Sequence, residues 1–223
     1  MNLYIHYGST NVGSSENFQV AIIGAGLAGL SLALSLGRHN MKCTIYKKPS
    51  QRLSQGGSIT LLPKSLRILD FLGVYSTIHG KGFDMSTTVV RDSYKCLMTV
   101  PMSDCSRYSY AALQIRRDVI LGSLIAEARQ HGIPINYEHK LVEIAGYGAG
   151  ATCLFANGVE RVVSLVVGAD GLRSKTREIS FLSAPAPTCI KRTGLMWSVQ
   201  RPVLKFLDQE YLKPAPVLEL RPW

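Results

Sequence analysis

A buried strand followed by an amphipathic helix is predicted near the start of the chain. Residues 20–23 form an apolar run rich in β-branched side chains, and Leu27, Leu30, Leu34 and Leu36 recur after it at roughly helical spacing. Small residues separate the two runs, as a tight turn from strand to helix requires. The pattern therefore predicts a strand–turn–helix unit.

The rest of the chain continues as an alternation of strands and helices. We predict a second strand at Lys42–Tyr46, a strand and a helix within Ser58–Leu72, and a long helix over Arg117–His131 that stops before Gly132 and Pro134. Further strands are predicted at Thr87–Arg91, Lys95–Val100, Ile135–Ile144, Ala151–Ala156 and Val159–Val167, with Asn157-Gly158 as a hairpin turn. This order of elements indicates an α/β domain.

Three glycines, Gly24, Gly26 and Gly29, occupy the turn between the first strand and the first helix. In dinucleotide-binding folds such glycines allow the tight turn and let the backbone approach a pyrophosphate at the helix N-terminus. The alternative is a purely structural turn, because tight turns use glycine in proteins that bind nothing. The strand–turn–helix context favours a bound dinucleotide.

Two lysines follow the second predicted strand, at the place where dinucleotide-binding folds usually carry an acidic residue. The acid lies about 20 residues after the glycines and accepts a hydrogen bond from a ribose hydroxyl, but Lys47 and Lys48 occupy that place. A lysine has no acceptor for a hydroxyl proton. It could pair with a 2′-phosphate, so this feature alone favours NADP over FAD. The alternative is a solvated strand end, since exposed lysines are common.

Three later segments resemble FAD-dependent aromatic hydroxylases. Residues 56–73 resemble that family's third strand and following helix, and residues 110–126, which include Arg116, resemble its arginine-bearing helix start. Residues 167–177, Val-Gly-Ala-Asp-Gly-Leu-Arg-Ser-Lys-Thr-Arg, are similar to its Asp-Gly motif and are the most specific match. With the glycine turn, four segments in order resemble the salicylate hydroxylase and p-hydroxybenzoate hydroxylase group of flavin monooxygenases.

This resemblance implies a fold, cofactors and a reaction. The fold is α/β: a doubly wound, Rossmann-like FAD-binding domain of the glutathione reductase type, with part of an inserted β-rich substrate domain. The cofactors are FAD, with NADPH or NADH as electron donor. The reaction is hydroxylation or epoxidation of a small aromatic or polycyclic organic substrate. In the family the glycine loop holds the FAD pyrophosphate, and an arginine matching Arg116 holds phosphate and ribityl oxygens.

No side chain can be assigned as catalytic from the sequence. The predicted cofactor-binding set is Gly24, Ala25, Gly26, Leu27, Ala28, Gly29, Lys47, Arg52, Gly57, Arg116, Asp170 and Gly171.

Several of these residues also have structural interpretations. The glycines at 56 and 57 could form only a bulge or a turn into a strand. Arg116 could lie at a solvated helix end, although its planar fork suits phosphate better than a lysine does. Asp170-Gly171 could be merely a turn, since this pair is favoured in turns.

Composition restricts the other function classes. The chain has 223 residues with 46% hydrophobic content, enough for one large domain or slightly more. No apolar stretch approaches the roughly 18 residues of a membrane span, so none is expected. The five cysteines are odd in number, widely spaced and free of any Cys-x-x-Cys pair. This indicates reduced thiols and a cytoplasmic location rather than a disulfide framework, and no metal site is expected.

The chain carries a formal net charge of +10, which raises the question of nucleic acid. The basic residues are spread without a dense run or a known nucleic-acid motif, so no nucleic-acid partner is expected. A positive field also attracts NADPH and anionic aromatic acids. Two other classes stay open: an inactive FAD-binding relative, and an NADP-binding reductase or regulator.

The expected organisation has three parts. Residues 1–17 form a flexible N-terminal leader, residues 18–182 form the FAD-binding domain with inserted strands at about 84–105, and residues 183–223 form a Pro-rich tail of an incomplete substrate domain. Six of the ten prolines lie in that tail, which disfavours a packed sheet there. Nothing in residues 178–223 resembles the Gly-Asp motif with which the family continues, so a C-terminally truncated chain is expected.

Overall fold

The computed structural model describes residues 4–7, 18–48, 57–92, 95–146 and 150–181. The chain divides into two compact units, one of residues 1–54 with 120–188 and the other of residues 55–119 with 189–223. The strands are β1 Tyr4–Tyr7, β2 Gln19–Ile23, β3 Lys42–Tyr46, β4 Ser58–Leu61, β5 Phe83–Met85, β6 Thr87–Asp92, β7 Lys95–Pro101, β8 Ala112–Arg116, β9 Ile135–Asn136, β10 Leu141–Ala145, β11 Ala151–Phe155, β12 Glu160–Val163 and β13 Leu165–Gly168. The helices are α1 Leu27–Arg38, α2 Pro63–Phe71, α3 Tyr75–His79, α4 Cys105–Tyr108, α5 Arg117–Gln130 and α6 Lys175–Ser180.

A five-stranded sheet in the order β1-β13-β2-β3-β9 forms the centre of the first unit. Strands β13, β2, β3 and β9 run parallel to one another. The register places Ile23 opposite both Tyr46 and Gly168. Three strands therefore end at one level, and the segments that follow them meet at the carboxyl edge of the sheet, where parallel sheets bind their ligands.

Both faces of this sheet are covered, which explains why β2 is continuously apolar from Val20 to Ile23 rather than alternating. On one face Ala21, Ile23 and Tyr46 share a core with Phe155 and other residues of the antiparallel sheet β10-β11-β12. On the other face α1 packs against the strands, and the Cys43 thiol lies 3.7 Å from the Ala33 carbonyl oxygen. The predicted α/β architecture with a parallel sheet is confirmed.

Two predicted strands are divided in the structure, and each division reflects a change of pairing partner. Residues 159–167 form β12 in the antiparallel sheet and then β13 in the parallel sheet, with the change at Ser164, whose N–H donates to the Gln19 carbonyl at 3.0 Å. Residues 135–144 form β9 beside β3 and then β10 beside β11. Glu138, at φ +61°, lies in the connection between them.

Residues 4–7 form a strand where a flexible leader was expected. Strand β1 pairs antiparallel with β13 over all four of its residues. The open edge of β13 offers unpaired backbone donors and acceptors, and β1 satisfies them.

The second unit contains the sheet β4-β8-β5 and the hairpin β6–β7. The hairpin confirms the two strands predicted between residues 87 and 100. Helix α2 begins at Pro63, which suits the first helical position because its missing N–H would have no intrahelical acceptor. Residues 112–116 form the central strand β8, although the sequence predicted only the start of a helix in this region. Its buried Leu113 and Ile115 explain the strand, because alternate residues face the core.

Candidate functional site

The turn after β2 is tied to the ends of both neighbouring strands. The Gly24 N–H donates to the Tyr46 carbonyl at 2.8 Å, and the Ala169 N–H donates to the Ile23 carbonyl at 2.7 Å. Gly24 has φ +116°, and a Cβ there would lie 2.3 Å from the Ala169 carbonyl oxygen. Both the backbone conformation and the close contact require glycine at position 24.

The other two glycines of the turn differ from each other. A Cβ at Gly29 would lie 1.9 Å from the Gly24 carbonyl oxygen, so the close approach of helix to turn requires this glycine. At Gly26 the backbone is extended, with φ −86° and ψ −175°, and a Cβ would meet no atom within 4 Å. Nothing that the structure describes around Gly26 requires a glycine there. Open space at this position suits the backbone approach of a ligand.

Helix α1 starts at this open position. Gly26 is its N-cap residue and supplies no side-chain hydrogen bond to the first turn, which contains no acidic residue. The first N–H groups of a helix have no intrahelical acceptor and carry partial positive charge. Together they form a site suited to a pyrophosphate or another anion.

A cleft of about 820 Å³ opens over this helix start. Of the predicted site residues, Gly24, Ala25, Gly26, Lys47, Asp170 and Gly171 line it, whereas Leu27, Ala28 and Gly29 lie beyond the lining in the first turn of α1. Sequence reasoning missed an apolar part and a basic part of the lining. The apolar part is Ile23, Leu121, Leu141 and Val142, and the basic part beyond Lys47 is Lys48, Lys140, Arg173 and Lys175. Lys48 carried a signal as the neighbour of Lys47, and Arg173 and Lys175 carried one because they lie within the Asp-Gly segment.

Lys47 lies where β3 ends, at the position expected to hold an acid. Its N–H donates to the Asn136 carbonyl at 2.8 Å and its carbonyl accepts the His139 N–H at 3.0 Å, so neighbouring segments fix its backbone. The Lys47 ammonium lies 5.7 Å from the centre of the Tyr137 ring. Burial lowers the pKa of Lys47, because a partly desolvated ammonium is less stable than one in water.

The Asp170 carboxylate is bound within its own turn. It accepts the Ser174 hydroxyl at 2.5 Å, the Thr176 N–H at 3.1 Å and the Thr176 hydroxyl at 3.2 Å. Ser174 in turn caps α6 by accepting the Arg177 N–H at 3.0 Å. Asp170 therefore shapes the loop that borders the cleft, and Gly171, at φ +87°, completes the turn.

Gly57 and Arg116 belong to the second unit, and Arg52 lies outside the described residues. The Gly57 carbonyl accepts the Arg117 N–H at 3.2 Å beside the pairing of β4 with β8. Arg116 is exposed at the end of β8, and its guanidinium makes two hydrogen bonds to Asp118, one of them from Nε at 3.0 Å. These bonds hold the pKa of Asp118 below its usual value. The guanidinium is thus held in a fixed orientation by its neighbour.

A second cleft, of about 440 Å³, lies at the opposite ends of the same parallel strands. Gln19 and Lys42, at the starts of β2 and β3, contribute to it together with Arg161 and His131. None of the predicted site residues that the structure describes lines this cleft. Across the described part of the chain, no three His, Cys, Asp or Glu side chains are grouped as metal ligands would be. No helix within those same residues has both the length and the apolar composition to cross a membrane.

Residues 17–202 match the FAD-binding domain family, which is most of the chain. The chain is 30% identical over 167 residues to the FAD-dependent monooxygenase janM of Penicillium janthinellum, covering 74% of this chain and 35% of that protein. It is 30% identical over 168 residues to the 3-amino-4-hydroxybenzoate 2-monooxygenase PtnB3 of Streptomyces platensis, covering 74% of this chain and 42% of that protein. The chain therefore spans less than half the length of these two relatives.

Solved structures with the same fold include 2-methyl-3-hydroxypyridine-5-carboxylic acid oxygenase in its tetrameric form. The two chains superpose with a TM-score of 0.64 at 23% identity, over 73% of this chain and 42% of the oxygenase. The tetracycline destructase Tet(55) superposes with a TM-score of 0.59 at 22% identity, over 74% of this chain and 41% of that protein. These similarities confirm the predicted class of fold.

Proposed function

The chain belongs to the FAD-binding domain family, and on that premise we propose that it forms the FAD-binding part of an NAD(P)H-driven monooxygenase. The substrate is a small aromatic or polycyclic organic molecule that is hydroxylated or epoxidised. The sequence relatives are FAD-dependent monooxygenases, one of them acting on 3-amino-4-hydroxybenzoate. Because the chain spans less than half of those proteins, this activity is proposed for the whole protein to which the domain belongs.

The observation that carries the proposal is the contrast among the three turn glycines. Contacts within the protein account for Gly24 and Gly29, whereas Gly26 faces open space with a backbone that any residue could adopt. A glycine that no internal contact requires, at the N-cap of a helix and on the wall of a large cleft, suits a pyrophosphate that must approach the backbone.

The other walls of the cleft fit the rest of a dinucleotide. The α1 N-terminus with Ala25 and Gly26 would hold the pyrophosphate, and Leu141 and Val142 would pack against a flat base. We assign the Asp170-Gly171 turn to a border of the site, and Arg116 remains the proposed contact to phosphate and ribityl oxygens. Bound FAD would supply the redox chemistry between NAD(P)H, dioxygen and the substrate, while the protein would position the groups and exclude water.

We retain the proposed organisation in which residues 18–182 form the FAD-binding domain, with inserted strands at about 84–105 as part of a substrate-binding region. A cytoplasmic location is also proposed. Its support is the state of Cys43, Cys96, Cys105 and Cys153, which are free thiols in the structure.

The test is a cofactor analysis of the purified 223-residue chain. We expect a flavin absorption band, release of FAD on denaturation, and saturable rebinding of FAD after its removal. Gly26→Val should abolish rebinding while the circular dichroism spectrum stays native. Failure of the folded chain to bind FAD at any tested concentration would contradict the proposal. Binding of NADPH without FAD would favour a reductase or regulator, and FAD binding without NAD(P)H oxidation would favour an inactive relative.

A further inference from the structure

Lys47 stands at the place where a dinucleotide fold usually recognises the adenosine ribose. Three neighbours of this lysine fix that place. Its backbone is bonded to Asn136 and His139, and the residue before it, Tyr46, accepts the Gly24 N–H of the glycine turn at 2.8 Å. An acidic side chain at this point would accept a hydrogen bond from a ribose hydroxyl and would repel a phosphate. An ammonium cannot accept that hydrogen bond, but it attracts a phosphate.

The rest of the cleft is also short of available acidic groups. Within the described residues two carboxylates line it, and both have partners: Asp170 accepts hydrogen bonds from Ser174 and Thr176, and Glu178 forms an ion pair with Lys175 at 3.2 Å. Besides Lys47 and the Lys175 that pairs with Glu178, three further cationic side chains line the cleft, and they are Lys48, Lys140 and Arg173. The two negative charges of a pyrophosphate would therefore leave part of the positive charge of the cleft without a counter-charge.

We propose that this cleft also binds a nucleotide whose adenosine ribose carries a phosphate, with Lys47 contacting that phosphate. The inference rests on the proposed function in that it uses the same dinucleotide cleft. The inference adds a second class of ligand to the proposed function. This ligand would compete with FAD for the part of the cleft that binds adenosine.

The environment of Lys47 makes it a better phosphate contact than a solvated lysine. The side chain is half-buried, and its ammonium lies near the face of the Tyr137 ring. A charge that has lost part of its water gains more from an anionic partner, because the local dielectric constant is lower and less hydration must be removed. The backbone bonds on either side of Lys47 also reduce the ordering needed on binding.

The phosphate could be attached at the 2′ or the 3′ oxygen of the ribose. In either position it would offer Lys47 the same dianionic group. NADP⁺ carries the 2′ form and differs from NAD⁺ by that group alone, so the pair isolates its contribution. The fragments 2′,5′-ADP and 3′,5′-ADP, each compared with AMP, which lacks the second ribose phosphate, distinguish the two positions.

The experiment measures dissociation constants of FAD, NADP⁺ and NAD⁺ for the full chain after removal of bound flavin. We expect NADP⁺ to bind roughly 10-fold or more tightly than NAD⁺, the gain of one charge-assisted contact. NADP⁺ should compete with FAD, and one of the two bisphosphate fragments should displace FAD better than AMP does. Which fragment does so assigns the phosphate to the 2′ or the 3′ oxygen.

Two charge variants and one control test the role of Lys47. Lys47→Glu should remove the preference for NADP⁺ and tighten FAD, and Lys47→Met should remove the preference while keeping the side-chain stem. Lys64→Glu, an exposed lysine of α2, makes the same change of net charge and should leave the preference intact. Circular dichroism confirms that each variant is folded.

Equal affinities of the unmodified chain for NADP⁺ and NAD⁺ would overturn the inference. An equal loss of the NADP⁺ preference in Lys47→Glu and Lys64→Glu would also overturn it. If FAD binds and NADP⁺ shows no preference, the inference fails and the proposed function stands. If NADP⁺ binds with the expected preference and FAD does not bind, the proposed function fails and the inference stands.

Discussion

A Cβ atom on Gly24 would lie 2.3 Å from the carbonyl oxygen of Ala169. The glycine also has φ +116°, where side chains are strained, so Gly24→Ala should force the turn and the end of β13 apart. We expect a loss of about 2–5 kcal/mol in the free energy of unfolding, measured by urea denaturation. Gly26→Ala is the matched control and should change stability by less than about 1 kcal/mol. Equal losses in the two variants would contradict this account of the turn.

Substitution of Gly26 should separate ligand binding from stability. Valine adopts the extended backbone of this residue readily, and a Cβ there meets no protein atom within 4 Å. Because the side chain would fill the space proposed for a pyrophosphate, Gly26→Val should weaken FAD binding by roughly 100-fold or more, about 2.7 kcal/mol. Titration of flavin fluorescence measures the affinity. A variant that keeps both native stability and native affinity would show that the ligand binds elsewhere.

The Asp170 turn should depend on its carboxylate for stability. Asp170→Ala leaves the hydroxyls of Ser174 and Thr176 without their acceptor, and these residues are 1% and 0% exposed. Unpaired buried donors cost about 1–3 kcal/mol each, so we expect a loss of about 2–4 kcal/mol in thermal or urea unfolding. Asp170→Asn keeps one acceptor oxygen, so it should lose less unfolding free energy than Asp170→Ala. A stable Asp170→Ala protein that had lost only ligand binding would assign Asp170 to the ligand instead.

The four cysteines within the described residues should fall into two reactivity classes. Burial raises the pKa of Cys43 and of Cys153 to about 11, whereas Cys96 and Cys105 are exposed. At pH 8 roughly one in a thousand of the buried thiols is ionised, and the thiolate is the reactive form. A thiol reagent should therefore modify Cys96 and Cys105 rapidly, and Cys43 and Cys153 only on unfolding. Mass spectrometry of the labelled chain identifies the sites.

The same two thiols should make the fold sensitive to alkali. A thiol in the unfolded chain ionises near its ordinary value of 9.0, while the folded state holds Cys43 and Cys153 neutral until about pH 11. Because the unfolded state releases protons first, the free energy of unfolding should fall as pH rises from 9 to 11. Urea denaturation at a series of pH values measures the fall. In the double variant Cys43→Ala, Cys153→Ala the free energy of unfolding should fall less steeply with pH. An unchanged pH dependence in this variant would show that the two thiols do not cause the fall.

Local patterns predicted much of the first unit. The apolar run of β2, the glycine turn and the leucine spacing of α1 were predicted within a few residues, because each depends on neighbours in the sequence. The divisions of residues 135–144 and 159–167 were not predicted. At both places the strand changes its partner, and pairing between strands distant in sequence leaves no local signal. Strand β8 was missed because its burial depends on the strands beside it.

The sequence alone determined the class of fold, the likeness to flavin monooxygenases and the presence of lysine where an acid is usual. Each of these is carried by residue types at fixed spacing. The tertiary structure decided which glycines serve packing and which one faces open space, since Ala169 approaches Gly24 from more than 140 residues away in sequence. It also brought Lys140 and Arg173 to the same cleft as Lys47. Spatial convergence of this kind depends on strand order, and strand order is set by packing of the whole unit.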